Sequence, residues 1–107
     1  MVNEADIKRS CENKSLRWTN HATVRLMQRN ISTDDVIHVL VDGEIIEQYP
    51  DDYPYPSCLV NGLTLENQRM HVVCGFGNDE LWIITAYHPD AEEWTPDFRS
   101  RRELSDQ

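Results

Sequence analysis

An α+β domain is what this sequence predicts, with N-terminal helices packed on one face of an antiparallel sheet of about four strands. Two observations carry the prediction. As far as Asp42, apolar residues recur at helical spacing between capping residues, and from Glu44 onward they alternate as in strands. The helical stretches come first and about four strand-like runs follow, an order that segregates helices to one side of a sheet. At 107 residues the chain is long enough for a single modest core.

Taken in order, Asn3 to Lys14 places Ile7 and Cys11 at helical spacing among Glu4, Asp6, Lys8 and Glu12, which predicts a short, partly detachable helix. Thr19 or Asn20 then caps a helix that runs to about Arg29 and stops at Asn30, each side-chain oxygen being able to accept from an unpaired N–H. Ser32-Thr33-Asp34-Asp35 opens another: Ser32 caps, the aspartates suit the positive end of the helix dipole, and Val36, Val39 and Leu40 form the buried face. Asp42-Gly43 stops it, with Gly43 free to adopt the left-handed conformation.

Glu44 to Tyr49 reads as a strand. Pro50 to Pro56 is a turn-rich loop, because its prolines remove donors and fix φ. Ser57 to Val60 is a second strand, ended by a turn or bulge at Asn61-Gly62. Arg69 to Phe76 and Leu81 to Tyr87 are the strongest strands, and the last is apolar on both faces, so it belongs inside the sheet. After Pro89 the chain turns polar, with a loose helix expected over residues 97–104. The expected division is a helical extension over 1–17, one α+β domain over 18–96 and a polar tail over 97–107.

The net charge of −9 argues against a protein that grips long nucleic acid by bulk electrostatics, since that requires Lys and Arg to displace counterions; no DNA partner is expected. No apolar run is long enough to span a bilayer, and the N-terminus lacks the layout of a signal peptide, so a cytoplasmic protein with no membrane partner is expected. Cys11, Cys58 and Cys74 are odd in number and contain no CxxC pair, which disfavours zinc and a disulfide scaffold. No glycine-rich phosphate loop, HExxH or paired-carboxylate signature is present, and neither metal nor cofactor is expected.

Against the acidic background, three basic side chains stand between Trp18 and Pro89, Arg25, Arg29 and Arg69, opposite ten acids. Two of them fall four residues apart in line with His21. On a helix, His21, Arg25 and Arg29 occupy roughly 80° of arc beside Ala22 and Leu26, at the border of the buried face. A titratable imidazole with two guanidinium groups suits a phosphate-holding or phosphodiester-cleaving site. The competing reading pairs both arginines with internal carboxylates such as Asp34, Asp35 or Glu44.

His71 lies in an otherwise apolar strand, where a lone histidine is more often structural. Thr85 and Tyr87 share a face of the last strand and offer a hydroxyl and a phenol to a phosphate oxygen. Whether His71 joins them depends on the hairpin. An even loop of Asn78-Asp79 sets His71 across from Ala86, and an odd loop of Asn78-Asp79-Glu80 sets it across from Tyr87. His38 and His88 are weaker candidates. Trp94 reads as a lid over the sheet edge. Tyr49, Tyr53 and Tyr55 around the proline loop read as packing residues with some capacity to stack on bases. Cys58 and Cys74 read as small buried apolar residues.

Five blocks in order, His21-Ala22-x-x-Arg25-x-x-x-Arg29-Asn30-Ile31-Ser32, Gly43-Glu44-Ile45-Ile46-Glu47, Tyr49-Pro50-Asp51-Asp52-x-Pro54-x-Pro56-Ser57, His71-Val72-Val73 and Ile83-Ile84-Thr85-Ala86-Tyr87-x-Pro89 through Trp94, resemble the bacterial family called domain of unknown function 4258. The resemblance covers about residues 18–96. That family is similar to the barnase, colicin and RelE-like ribonuclease superfamily, which places helices ahead of a four-stranded antiparallel sheet and cleaves RNA without a metal.

The resemblance implies a toxin-like, metal-independent endoribonuclease acting on RNA or at the ribosome, partnered by a small zinc-ribbon antitoxin. His21, Arg25, Arg29, His71, Thr85 and Tyr87 are then the catalytic candidates. The acidic balance departs from such a toxin. The alternatives are a non-enzymatic protein-binding domain, whose basic stripe receives a carboxylate, and a degenerate toxin fold that has lost its chemistry.

Overall fold

The computed structural model describes residues 1–103. Its elements are α1 (Glu4–Glu12), β1 (Leu16–Trp18), α2 (Asn20–Gln28), α3 (Thr33–Asp42), β2 (Glu44–Tyr49), β3 (Ser57–Leu63), β4 (Arg69–Gly77) and β5 (Glu80–Tyr87). The fold is α+β as expected, with the helices against one face of the sheet. The sheet is five-stranded and mixed, in the order β1-β5-β4-β3-β2. Its four longer strands are antiparallel neighbours, while β1 pairs parallel to β5, placing Leu16 beside Leu81 and Trp18 beside Ile83. The β5 strand is interior, as its two apolar faces require.

Local chemistry sets the helix ends. In α1, the Asn3 side chain accepts the Asp6 N–H at 2.8 Å. Thr19 rather than Asn20 caps α2, its Oγ1 accepting from Ala22 N–H at 3.0 Å, and Asn30 ends the helix in the left-handed region at φ 57°. Ser32 caps α3 by accepting the Asp35 N–H at 3.1 Å. Gly43 ends α3 for a different reason from the one expected. Its backbone is extended, and a Cβ there would stand 2.4 Å from the Val39 carbonyl and 2.6 Å from that of Asn61. Close approach of chain to chain excludes a side chain at this position.

The core lies between helices and sheet. Ala22, Leu26, Val36, Val39 and Leu40 meet Cys58, Val60, Met70, Val72, Cys74, Leu81, Ile83 and Ala86. Val2 and Ile7 are buried in the same cluster and α1 packs on α3, so the first residues are not a detachable extension. The domain boundary expected at residue 18 falls inside β1. A second correction concerns β3, which continues through Asn61 and Gly62 to Leu63. The turn comes later, where buried Thr64 accepts through Oγ1 from the N–H groups of Glu66 and Gln68 and Asn67 takes φ 63°.

The expected C-terminal helix is absent over residues 97–103, and Leu104 lies outside the described residues. Residues 90–103 form a strap instead, closed by a bridge between Trp94 and Arg101 and by Thr95 N–H donating to the Ser100 carbonyl at 2.8 Å. The strap lies across the sheet face opposite the helices. Its Trp94 is fully buried, so the expected domain end at residue 96 falls within one folded segment.

Candidate functional site

Strand register assembles the face beneath the strap. Glu44, Asn61, His71 and Tyr87 stand side by side across four strands; the next row is Glu47, Leu59, Val73 and Thr85; the third is Tyr49, Ser57, Gly75 and Trp82. Two bulges make these rows possible. In β2 the register shifts between Ile45 and Glu47, which brings Glu44, Glu47 and Tyr49 onto one face.

In β5 the hairpin turn is the even one, Asn78-Asp79, both residues at positive φ as a tight two-residue turn requires. On its own that turn would pair His71 with Ala86. Ile84 is the extra residue of a bulge opposite the Val73–Cys74 step, and beyond it His71 pairs with Tyr87. Thr85 and Tyr87 therefore lie on the face away from Leu81 and Ile83, and Ala86 enters the core.

His71 is wholly buried. Its Nε2 lies 2.9 Å from the Phe98 carbonyl, which can only accept, so Nε2 carries the proton. Nδ1 is then the acceptor for the Tyr87 hydroxyl, 3.3 Å away. The Phe98 carbonyl is set by a local turn in which Asp97 accepts from Thr95 Oγ1 at 2.6 Å and from Arg99 N–H at 3.1 Å. Trp94 closes the imidazole from above, edge to face at 4.5 Å between centroids. Burial, opposed by the Phe98 carbonyl and by Glu47, holds the His71 imidazole below its ordinary value and keeps it neutral. Burial likewise raises the Tyr87 phenol, against the pull of Arg101.

Beside this pair lies a second cluster. Arg101 donates from Nε at 3.0 Å and from Nη2 at 3.2 Å to the Glu47 carboxylate, and its guanidinium sits 4.7 Å from the Trp94 ring centre. The Tyr49 hydroxyl donates to the same carboxylate. Burial works to raise Glu47, but the bonds from Arg101 and Tyr49 outweigh it and hold the carboxyl below the usual range. Burial first, then the charge and hydrogen bond of Glu47, push Tyr49 up to about 12.

Arg29 reaches β5 from the end of α2. Its Nη1 donates to Thr85 Oγ1 at 3.0 Å and to the Ala86 carbonyl at 2.8 Å. Among the described residues, no carboxylate lies within ion-pair distance of Arg25 or Arg29. The internal pairing considered from the sequence is not made: Glu44 pairs with Arg99, and Asp35 accepts the Leu65 N–H.

Of the six candidates, Arg29, Thr85, Tyr87 and His71 come together. His21 and Arg25 do not join them. They bond to each other at 3.4 Å on the exposed side of α2, Arg25 about 6 Å and His21 about 12 Å back along the helix from Arg29. Glu47, Tyr49, Trp94 and Arg101 belong to the face and were not singled out as site residues. The signal for them was present: an acid and a phenol alternating along one strand, and large aromatics among arginines in a supposed tail.

The remaining candidates make contacts outside this cluster. His38 bonds the Leu63 carbonyl through Nδ1 at 2.7 Å and pairs with Asp42, and His88 bonds the Arg69 carbonyl at 2.8 Å. Cys58 and Cys74 are buried neighbours with sulfurs 3.8 Å apart, and Cys74 is pushed up by that contact and by burial. Among the described residues, no three or more His, Cys, Asp or Glu converge as a metal site would require, and no helix is long and apolar enough to cross a membrane.

The buried imidazole has a measurable consequence. Its folded value lies below the 6.5 of the free side chain, so the unfolded chain binds a proton that the native state resists. Stability from this group is complete above about pH 6.5 and declines as pH falls below it towards the folded value. The urea midpoint is expected to drop between pH 7.5 and pH 5.5, and His71→Gln is expected to flatten that slope. An unchanged slope in the variant would show that other groups set it.

A family model described as domain of unknown function (DUF4258) matches residues 18–88. The matched block holds Arg29, Glu47, His71, Thr85 and Tyr87 and leaves out α1 and the strap. No curated protein and no solved structure matches the chain.

Proposed function

Because the chain belongs to the DUF4258 family of domains of unknown function, its role has to be argued from its own side chains, and we propose that it is a metal-independent endoribonuclease, the toxin-like member of a pair with a zinc-ribbon antitoxin. One observation carries the reading. A guanidinium with no carboxylate partner among the described residues is bonded to Thr85, two residues along β5 from a phenol whose proton points at a neutral imidazole.

In this reading Arg29 uses the donors not spent on β5 to hold the scissile phosphate. The ribose 2′-oxygen attacks that phosphorus. Its proton passes to the Tyr87 oxygen as the phenol proton passes to His71 Nδ1. The new O–P bond replaces the bond to the 5′-oxygen, which leaves with a proton from water. The imidazolium formed at His71 is stabilised by the Phe98 carbonyl at Nε2–H and by the negative charge of Glu47. Thr85 positions Arg29. His71 never touches the RNA and acts through Tyr87 as a positioning and proton-holding residue.

The net charge of −9 favours a restricted substrate, an unpaired strand or RNA presented by a ribosome, over long duplex. The same charge is the observation that favours the rival reading, a binding face that accepts one carboxylate of a protein partner. Incubation of the purified chain with single-stranded RNA in excess chelator, and with ribosome-bound RNA in magnesium buffer, separates the two. Fragments ending in cyclic phosphate and 5′-hydroxyl are expected, and intact RNA in both reactions would overturn the enzyme reading.

A further inference from the structure

Farther back along β5 from the Arg29 contact, on the same sheet face, the structure holds an aromatic cavity of about 450 Å³, within the range of small-ligand sites. Trp82 and Ile84 form its floor from β5, Gly75 from β4, and Tyr53, Pro54 and Tyr55 reach over from the proline loop, with Thr19 and the Asp52 carboxylate, which accepts from Ser57, completing the wall. Ile84 in its wall is followed along β5 by Thr85, which receives the Arg29 guanidinium.

The Tyr55 and Trp82 rings stand 6.1 Å apart between centroids at 33°. Tyr55 is fixed by its backing: it lies over Gly77, where a Cβ would come within 2.0 Å of the ring. Trp82 is held by packing, since its indole N–H finds no acceptor among the described residues. Tyr53 is 95% exposed, an aromatic ring left in water at the cavity mouth.

A ligand that fits this arrangement is flat and aromatic at one end and anionic at the other. We propose that the cavity is a nucleobase subsite, in which one unpaired base of single-stranded RNA stacks on Trp82 and Tyr55 while Arg29 holds a neighbouring phosphate. The inference rests on the ribonuclease reading and extends it to how a strongly acidic chain holds RNA. Stacking on fixed rings supplies affinity that does not depend on positive charge. An antiparallel duplex, whose bases are already stacked, cannot offer one to the cavity without unpairing.

The test uses the full chain carrying Tyr87→Phe, so that bound RNA is not consumed, and a fluorescent single-stranded hexaribonucleotide followed by anisotropy. Adding Trp82→Ala is expected to weaken binding about tenfold or more, the scale of one lost base stack. Adding Trp82→Phe should keep most of the affinity, and Met27→Ala, on the exposed side of α2, should keep all of it. An abasic hexamer of the same backbone is expected to bind the Trp82 and Trp82→Ala proteins equally, which a misfolded variant would not do. Equal affinity of those two proteins for the base-bearing hexamer would overturn the subsite. If the unsubstituted chain cleaves RNA and Trp82→Ala cleaves with unchanged KM, the subsite falls and the ribonuclease reading stands. If the parent chain neither binds nor cleaves RNA, both fall.

Discussion

Replacing Tyr87 by phenylalanine is expected to lower RNA cleavage by about 10²–10³-fold, the scale found when one hydrogen-bonding group at a reacting centre is removed. The substitution keeps the ring that packs edge-on to His71 at 5.4 Å and removes only the hydroxyl that bonds Nδ1. Its cost in stability is therefore that of one hydrogen bond, about 1 kcal/mol. Arg29→Ala should cut activity on a similar scale. It also frees the Ala86 carbonyl, so a loss of about 1–2 kcal/mol accompanies it. Single-turnover cleavage rates set beside urea midpoints check both. Full activity in either variant would remove that residue from the proposed chemistry. A collapse of the fold would instead assign it to structure.

Trp94→Ala should give the largest loss of stability, about 3–5 kcal/mol, the usual cost of emptying the place of a buried indole. That is a large fraction of a small domain's total of roughly 5–15 kcal/mol. The size follows from position. Trp94 is 2% exposed, covers His71 and carries Arg101 on its other side. By comparison, Arg101→Ala breaks an ion pair whose arginine side is 60% exposed, and should cost no more than about 1 kcal/mol. Urea denaturation of the two variants measures the contrast. In Trp94→Ala the His71 imidazole should also titrate closer to its ordinary value, because the burial that depresses it is relieved. A loss below about 1 kcal/mol would mean that the strap is not anchored through this residue.

The helices, their caps and the four longer strands were legible in the sequence because each is written locally, in Thr19 and Ser32 and in the spacing of Val36, Val39 and Leu40. The β1 strand was not. Three residues are too few to show a period, and its partner lies more than sixty positions away. The strap was missed because polarity was taken as the mark of a tail. Trp94 and Phe98 are the residues that tie it down, one by packing and one by its carbonyl.

Within the site, Arg29, Thr85 and Tyr87 could be named from residue chemistry. The partnership of His71 with Tyr87 turned on parity, and the turn residues alone pointed the wrong way. The deciding Ile84 bulge depends on packing across strands, which no local motif encodes. His21 and Arg25 failed to join for a simple reason. A helix that delivers Arg29 to a strand edge carries residues one and two turns earlier away from that contact.

The bulge at Ile84 makes the register of one strand a determinant of what the molecule displays. If the same residues ran as a regular strand, every helix, every turn and the strand order would remain, yet the phenol would point inward and His71 would face Ala86. Architecture and chemistry can thus part company through one step of register.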